Sequence, residues 1–216
     1  MLKFTPKLEI PHTNKGSYES LNGRKVVLDN DTRAKRSPWE KKAVVYHEFG
    51  HAIGDQRSLI YGSKELEELR NRQIARLRKR VKTTVTDYTY DYSTHTYKTT
   101  TRETTQMYAK ALSARIDRVY GRLKKFGDDV FTRRGITKHD ALEQIGSLQD
   151  TLKSLINSPG VGWGHSTSYF NSTGMRRHEY LAHCFENAFL GNRAFQHFMP
   201  TEYQEMIDYI RSLKFT

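Results

Sequence analysis

The chain has 216 residues and a formal net charge of +12, from 36 lysines and arginines against 24 acidic residues. This length suits one domain, or one domain with an insertion. The sequence has no run of about 18 apolar residues, which excludes a transmembrane helix, and we expect no cleaved secretory signal. The single cysteine, Cys184, excludes an internal disulfide and a thiolate zinc cluster. We therefore expect a protein of a reducing compartment, and its basic charge favours acidic or nucleic-acid neighbours.

The first strongly predicted element is a helix that begins after Ser37. Ser37 is a suitable N-cap, Pro38 suits the first helical position, and Glu40 completes a capping box. Apolar residues then recur at spacings of four and three, which predicts one buried helix face. They are Trp39, Ala43, Tyr46, Gly50 and Ile53.

The same helix carries the sequence His-Glu-Phe-Gly-His at residues 47–51. His47 and His51 are one helical turn apart, so their imidazoles converge and suit two nitrogen ligands of a tetrahedral zinc ion. Glu48 lies about 100° round the helix from His47. It can therefore reach a metal-bound water, where a general base is needed. The alternative is a pair of helix histidines packed in a core.

Residues 63–135 carry most of the net charge, with 18 basic against 9 acidic residues. Their middle, residues 83–106, is rich in Thr and Tyr, which predicts an extended hairpin or an exposed ribbon. Apolar stripes on either side predict two helices: Leu66, Leu69, Ile74, Leu77 and Val81 on the first, and Met107, Ala111, Ala114, Val119 and Leu123 on the second. We interpret the region as an inserted basic helical hairpin. Its charge is either a solvated helix face or a contact surface for nucleic acid or an acidic protein.

A catalytic zinc needs a third protein ligand, and a second predicted helix, residues 177–190, supplies candidates. Leu181, Phe185 and Phe189 form its apolar stripe. Glu179, His183 and Glu186 fall on a neighbouring stripe, where polar groups need partners. We rank Glu179 first as the ligand, and expect His183 and Glu186 to orient a ligand imidazole. The alternative is an ordinary surface stripe, and Cys184 is expected to be a small buried apolar residue.

Residues 47–52 and 179–185 together resemble the catalytic domain of anthrax lethal factor. They also resemble the compact zincin domains of phage head-morphogenesis (minor capsid) proteins and of some polymorphic toxins. The resemblance covers roughly residues 17–56 and 137–213. It implies that His47, His51 and Glu179 bind zinc and that Glu48 is the general base of a metallopeptidase with an HExxH motif. His183 stands where such domains usually carry a second acidic residue, and residues 63–135 have no recognised counterpart.

Two further segments extend this resemblance. Residues 162–170, Gly-Trp-Gly-His-Ser-Thr-Ser-Tyr-Phe, look like the stretch that precedes the ligand helix in the phage-type domains. It implies that Tyr169 stabilises the developing oxyanion, and His165 is a second candidate donor. Residues 23–29 resemble the short strand that lies over the cleft. We expect residues 26–28 to bind an extended peptide by edge pairing.

The expected fold is therefore α+β and mostly helical. Residues 1–62 and 136–216 would form a zincin-like core with a small antiparallel N-terminal sheet, and residues 63–135 the insertion. A closing helix is expected at residues 201–213, from Tyr203, Met206, Ile207 and Ile210. The leading hypothesis is a zinc-dependent endopeptidase hydrolase acting on a protein or peptide substrate, located in a virion or in host cytoplasm and not in a membrane. The alternatives are a structural virion or assembly protein whose basic insertion contacts nucleic acid or other virion proteins, and a toxin or effector domain.

Overall fold

The computed structural model describes residues 7–9, 17–19, 25–27, 37–127, 133 and 135–213, the first three segments as backbone only. The predicted α+β, mostly helical fold is confirmed. The strands are β1 (Lys7–Glu9), β2 (Ser17–Glu19), β3 (Lys25–Val27), β4 (Arg80–Asp91) and β5 (Thr96–Met107). The helices are α1 (Pro38–Gln56), α2 (Leu59–Gly62), α3 (Lys64–Arg78), α4 (Tyr108–Phe126), α5 (Lys138–Leu155), α6 (Thr173–Leu190), α7 (Arg193–Phe198) and α8 (Pro200–Ser212), with a 3-10 turn at Tyr169–Asn171.

The N-terminal sheet is mixed rather than purely antiparallel. Its order is β1-β3-β2, with β2 antiparallel and β1 parallel to β3. β3 is the central strand, and both of its edges are already paired. The prediction that residues 26–28 bind a peptide by edge pairing is therefore wrong for β3, since its backbone groups at Val26 and Val27 face neighbours on either side. The sheet packs on α1 through β2 and β3, as expected.

The close crossing of α1 and α6 is the contact that organises the molecule. Gly50 lies at the crossing, because a Cβ there would come within 2.7 Å of the Ala182 backbone Cα and 3.1 Å of Phe185 Cβ. A Cβ added at Gly54, one turn further on, would likewise come too close to the side chains of Leu181 and Ile60. Small residues let two helix backbones approach closely, so side chains flanking this crossing on both helices are brought within contact distance.

One hydrophobic core runs through the helices, including α3 and α4 of the basic region. Buried side chains of α3 and α4 pack in the same cluster as those of α5, α6 and α8. The burial of α4 differs from the predicted stripe, because the packing of this helix on α3 and α5 buries Ala109, Leu112 and Ile116 and leaves Ala114 exposed. Val81 likewise lies in β4 and not in the preceding helix. The closing helix α8 buries its four predicted apolar residues.

The Thr- and Tyr-rich segment forms the predicted hairpin. β4 and β5 pair antiparallel over their whole length, from Arg80 opposite Met107 to Asp91 opposite Thr96. Most of its side chains are exposed, and the tyrosine rings of Tyr90 and Tyr97 stack edge to face at 5.0 Å. The two helices that flank the hairpin, α3 and α4, are therefore part of the hydrophobic core, whereas the hairpin projects away from it. Within the described residues, no helix is both long and apolar enough to cross a bilayer.

Candidate metal centre

α1 is fixed at its start by polar contacts. The Ser37 hydroxyl accepts a hydrogen bond from the Glu40 backbone N–H at 3.1 Å, and Pro38 occupies the first turn, as predicted. The Trp39 indole N–H donates to the Gly191 carbonyl at 2.9 Å, which ties α1 to the end of α6. This anchoring and the crossing at Gly50 together fix the rotation of α1 about its axis. The histidine face of the helix consequently points at α6.

His47 and His51 of α1 meet Glu179 of α6. His47 Nε2 lies 3.2 Å from Glu179 Oε2, and His51 Nε2 lies 3.6 Å from Glu179 Oε1. One ligand atom from each of the three residues lies within 4.8 Å of the other two. Glu179 is buried, and both imidazoles are largely so. The arrangement offers two imidazole nitrogens and one carboxylate, which is the ligand set of a catalytic zinc site with a fourth position left open.

The chemistry of Glu179 fits a cation. Its Oε2 is buried and lies 3.2 Å from His47 Nε2, but it makes no well-formed hydrogen bond to any residue that the structure describes. A buried carboxylate oxygen without a partner is costly. A metal ion shared with the two imidazoles would remove that cost, so the residues present suit zinc.

The protonation states of the three groups differ. Burial alone would lower the pKa of His47, but its close contacts with the negatively charged Glu179 and Glu186 raise this pKa well above its usual value. Burial, together with the neighbouring charge of His47, lowers the pKa of His51 to about 3. Burial would raise the pKa of Glu179, but the contact with His47 holds it well below its usual range. In the metal-free protein, one imidazolium and one carboxylate therefore form an ion pair beside a neutral imidazole.

Glu186 faces the Nδ1 side of His47, opposite the Nε2 atom that faces Glu179, and His183 lies beside both His47 and Glu179. Glu186 Oε2 is 3.4 Å from His47 Nδ1 and 3.2 Å from His183 Nδ1, while the Ser147 hydroxyl donates to Glu186 Oε1 at 2.5 Å. A carboxylate on the outer nitrogen of a ligand imidazole fixes its ring orientation and tautomer. The stripe that carries Glu179, His183 and Glu186 is fully buried, which excludes the surface-stripe interpretation.

Asp150 of α5 is the functional side chain that sequence reasoning missed. It accepts from the His165 backbone N–H at 3.0 Å, lies 2.9 Å from His165 Nδ1, and lies 3.4 Å from His183 Nε2. Both nitrogens of His183 thus face carboxylates, and hydrogen bonds to Asp150 and Glu186 raise its pKa to about 9 against the opposing effect of burial. His183 is accordingly a charged link between Asp150 and Glu186 in the metal-free protein. Its ring also belongs to two other groups whose ligand atoms lie within 4.8 Å of one another, one with His47 and Glu186 and one with Asp150 and Glu179.

The loop that carries His165 and Tyr169 closes over Glu179. Gly164 has a φ of +130° and packs against the Asp150 carboxylate, which leaves no room for a side chain. The His165 ring stacks on the Tyr169 ring at 4.3 Å, and the Tyr169 hydroxyl donates to Glu179 Oε1 at 2.5 Å. Burial raises the pKa of Tyr169, and the nearby carboxylates raise it further. The phenol therefore stays protonated and can act as a hydrogen-bond donor.

The structure brings every predicted site residue into one region. Glu48 is buried on α1, next to the two histidines in sequence, and its charge contributes to the raised pKa of Tyr169. One expectation on α6 is wrong: Phe189 is 54% exposed, because the helix end leaves the core there, and it stacks on Tyr46 instead. His178, which belongs to none of the predicted motifs, lies with its ring 5.9 Å from that of His51. Cys184 is buried and free, as predicted.

No known protein-family model, curated protein or solved structure matches the chain significantly. The interpretation of the site therefore depends on the residues, distances and burial described above.

Proposed function

We propose that this protein is a zinc-dependent endopeptidase of the zincin type, with His47, His51 and Glu179 as the metal ligands. The observation that carries the proposal is the convergence of His47 Nε2 and His51 Nε2 on the two oxygens of the buried Glu179, at 3.2 and 3.6 Å, where Oε2 makes no well-formed hydrogen bond to any described residue. The association with a phage head rests on the motif resemblance of residues 47–52 and 179–185, and is part of the same proposal.

A zinc ion held there would supply Lewis acidity, which polarises a substrate carbonyl and makes water more acidic. Glu48 accepts the proton from the attacking water and returns it to the leaving amine, as a buried carboxylate beside the two histidines can. When substrate binds, the Tyr169 hydroxyl leaves its hydrogen bond with Glu179 and donates a hydrogen bond to the developing oxyanion instead. His165 stacks beneath Tyr169 and is a second donor at the same side of the site.

The remaining residues orient this machinery. Glu186, held by Ser147 and His183, presents an oxygen to His47 Nδ1 and so directs Nε2 toward Glu179. Asp150 positions His165 from α5 by contacts to its backbone and its ring. Preorganised contacts of this kind lower the reorganisation cost of the reaction.

The test is a comparison of Glu48→Gln with the wild type in peptide-library cleavage, with and without chelator. We expect zinc binding to be retained and turnover to fall by about 10²-fold or more, because general acid–base catalysis is removed. The matched control is Glu103→Gln, an exposed change on the hairpin that should leave both zinc and cleavage unaltered. Undiminished cleavage by the Glu48→Gln protein would refute the assignment.

A structural virion protein that contacts nucleic acid is the second candidate, and one surface favours it. Arg115, Arg118, Arg122 and Lys125 are exposed and recur at spacings of three and four along α4, so they form one basic stripe. Such a stripe would bind phosphates without reading sequence.

Salt-dependent DNA binding tests this alternative. The alternative predicts binding that weakens steeply with salt and is lost when Arg115 and Arg118 are changed to Gln. The structural-protein alternative also predicts that neither peptides nor virion proteins are cleaved. Binding at physiological salt that survives the double change would contradict it.

A further inference from the structure

Three arginines, Arg70, Arg176 and Arg177, form a cluster where the starts of α3 and α6 meet, and the proposed mechanism uses none of them. Arg177 of α6 pairs with Glu67 of α3, with Nη2 at 2.5 Å from Oε2. Arg70 lies about one turn further along α3, with Nη1 3.7 Å from the same Glu67 oxygen. A cavity of about 280 Å³ adjoins this arginine cluster, and Glu67 and Arg177 form part of its lining.

The guanidinium donors of the arginine cluster are poorly satisfied. The Nε atoms of Arg70, Arg176 and Arg177 are buried, and none of them has a hydrogen-bond partner among the residues that the structure describes. Arg70 is only 3% exposed, and its 3.7 Å approach to Glu67 is longer than a hydrogen bond. Unpaired donors on a buried charged group are costly. Because Arg70 and Arg177 approach the same oxygen of Glu67, their donors converge on one place, which suits an acceptor with several oxygens.

The arginine cluster also carries more positive charge than Glu67 balances. Three guanidinium groups beside one carboxylate leave an excess of two positive charges among these four residues (three minus one). Burial lowers the pKa of Arg70, Glu67 opposes that effect, and the charges of Arg177 and Arg176 lower the pKa further. A phosphate monoester carries about two negative charges near neutral pH, so it matches this excess, whereas a carboxylate would balance only half of it.

The ends of the two helices add to this positive potential. α6 has no acidic residue in its first turn, and the side chain of its N-cap, Ser172, makes no capping hydrogen bond. Arginines near the start of a helix are electrostatically unfavourable, since that end of the helix favours anions. The cavity also reaches Ser63 and Lys64 at the start of α3. An anion held beside both helix starts is therefore stabilised by the helix dipoles as well as by the arginines.

We propose that the arginine cluster binds a phosphate group, carried by inorganic phosphate or by a phosphomonoester. The inference goes beyond the proposed endopeptidase function and does not depend on it. Without phosphate, the partly exposed Glu67 carboxylate lies between Arg70 and Arg177 and neutralises them in part. Bound phosphate takes over these contacts by pairing with the guanidinium groups, and Glu67 turns toward solvent.

Calorimetric titration of the full chain with inorganic phosphate, with and without chelator, tests this site. We expect the wild type to bind phosphate, and Arg176→Gln or Arg177→Gln to weaken binding at least tenfold, because each change removes charge-assisted hydrogen bonds. Arg78→Gln, an exposed change on α3, is the matched control and should bind phosphate as the wild type does. The inference is overturned by the absence of binding up to about 10 mM phosphate, or by full binding in both arginine variants. Binding that the chelator abolishes would place the phosphate on a metal ion, and would overturn it as well.

Glu67→Gln should give a result that a purely structural ion pair cannot give. Removing the competing carboxylate charge should tighten phosphate binding at least threefold, because phosphate no longer has to displace a bound anion. A gain in binding cannot arise from a loss of folding. Unchanged or weaker binding by a Glu67→Gln protein that unfolds cooperatively in urea overturns the inference, and the titration of the wild type does not depend on whether this variant folds.

Two further ligands identify the source of the phosphate and test the ligand class. A short phosphoserine peptide that binds at least tenfold more tightly than inorganic phosphate identifies a phosphorylated protein as the ligand, and any weaker binding identifies free phosphate or a small phosphomonoester. Acetate should bind at least tenfold more weakly than phosphate, because it carries a single charge. Acetate that binds as tightly as phosphate overturns the assignment of a phosphate site.

Discussion

Replacing Gly50 by alanine tests whether the α1–α6 crossing sets the ligand distances. The added Cβ would lie 2.7 Å from the Ala182 backbone Cα, and this backbone atom cannot rotate away. Ordinary van der Waals contact begins at 3.4 Å. The two helices must therefore separate by about 0.7 Å, or distort locally by as much, because the interior is close-packed.

The expected magnitudes follow from that displacement. Overpacking costs about 1–3 kcal/mol, and the better helix propensity of alanine returns about 1 kcal/mol, so we expect a net loss of up to about 2 kcal/mol in the free energy of unfolding. His47 and His51 lie on one helix and Glu179 on the other. A shift of about 0.7 Å exceeds the roughly 0.2 Å tolerance of metal–ligand distances, and we expect zinc affinity to fall at least tenfold.

Urea unfolding of the metal-free protein and competition with a zinc-binding dye measure the two effects. Gly121→Ala is the matched control, because a Cβ there meets nothing within 4 Å in the interior of α4. It should stabilise the protein by about 0.5–1 kcal/mol and leave zinc affinity unchanged. If Gly50→Ala behaves like Gly121→Ala in both assays, the close crossing does not position the ligands and the reasoning is wrong.

Two further predictions concern protonation and the buried network. Because the pKa of His47 is raised and that of His51 is lowered to about 3, zinc binding near pH 6 should release about one proton, from His47. Zinc affinity should then rise about tenfold per pH unit until the pH reaches the pKa of His47; a slope of zero or two in dye competition contradicts this. Asp150→Asn removes the anion shared by His165 and His183, and should lower the free energy of unfolding by about 3 kcal/mol in urea. A loss below about 0.5 kcal/mol, as at an exposed aspartate, would show that the network does not hold the loop.

The parts of the site that follow from helix geometry were predictable from the sequence. The cap at Ser37 and the convergence of His47 and His51 depend on residues within a few turns of each other. Glu179 could be ranked as third ligand because a polar stripe beside an apolar one needs partners. These predictions required the helix period and the chemistry of zinc, and no knowledge of how the chain packs.

The parts that depend on packing between distant segments were not predictable. Asp150 is one of many polar residues in α5. It gains His165 as a partner through the approach of the 162–170 loop, and His183 through the packing of α6 on α5. The buried face of α4 was misjudged because it is selected by the packing of this helix on α3 and α5. Strands of three residues carry too little pattern to predict that β1 pairs parallel to β3 and so closes its edge.

The most direct test of the metal centre is an anomalous difference map, recorded at the zinc absorption edge from crystals of the zinc-loaded protein. We predict one strong peak bonded to His47 Nε2, His51 Nε2 and a carboxylate oxygen of Glu179, at roughly 2.0–2.2 Å from each. A peak ligated by His183 in place of Glu179, or no peak between α1 and α6, would contradict the account.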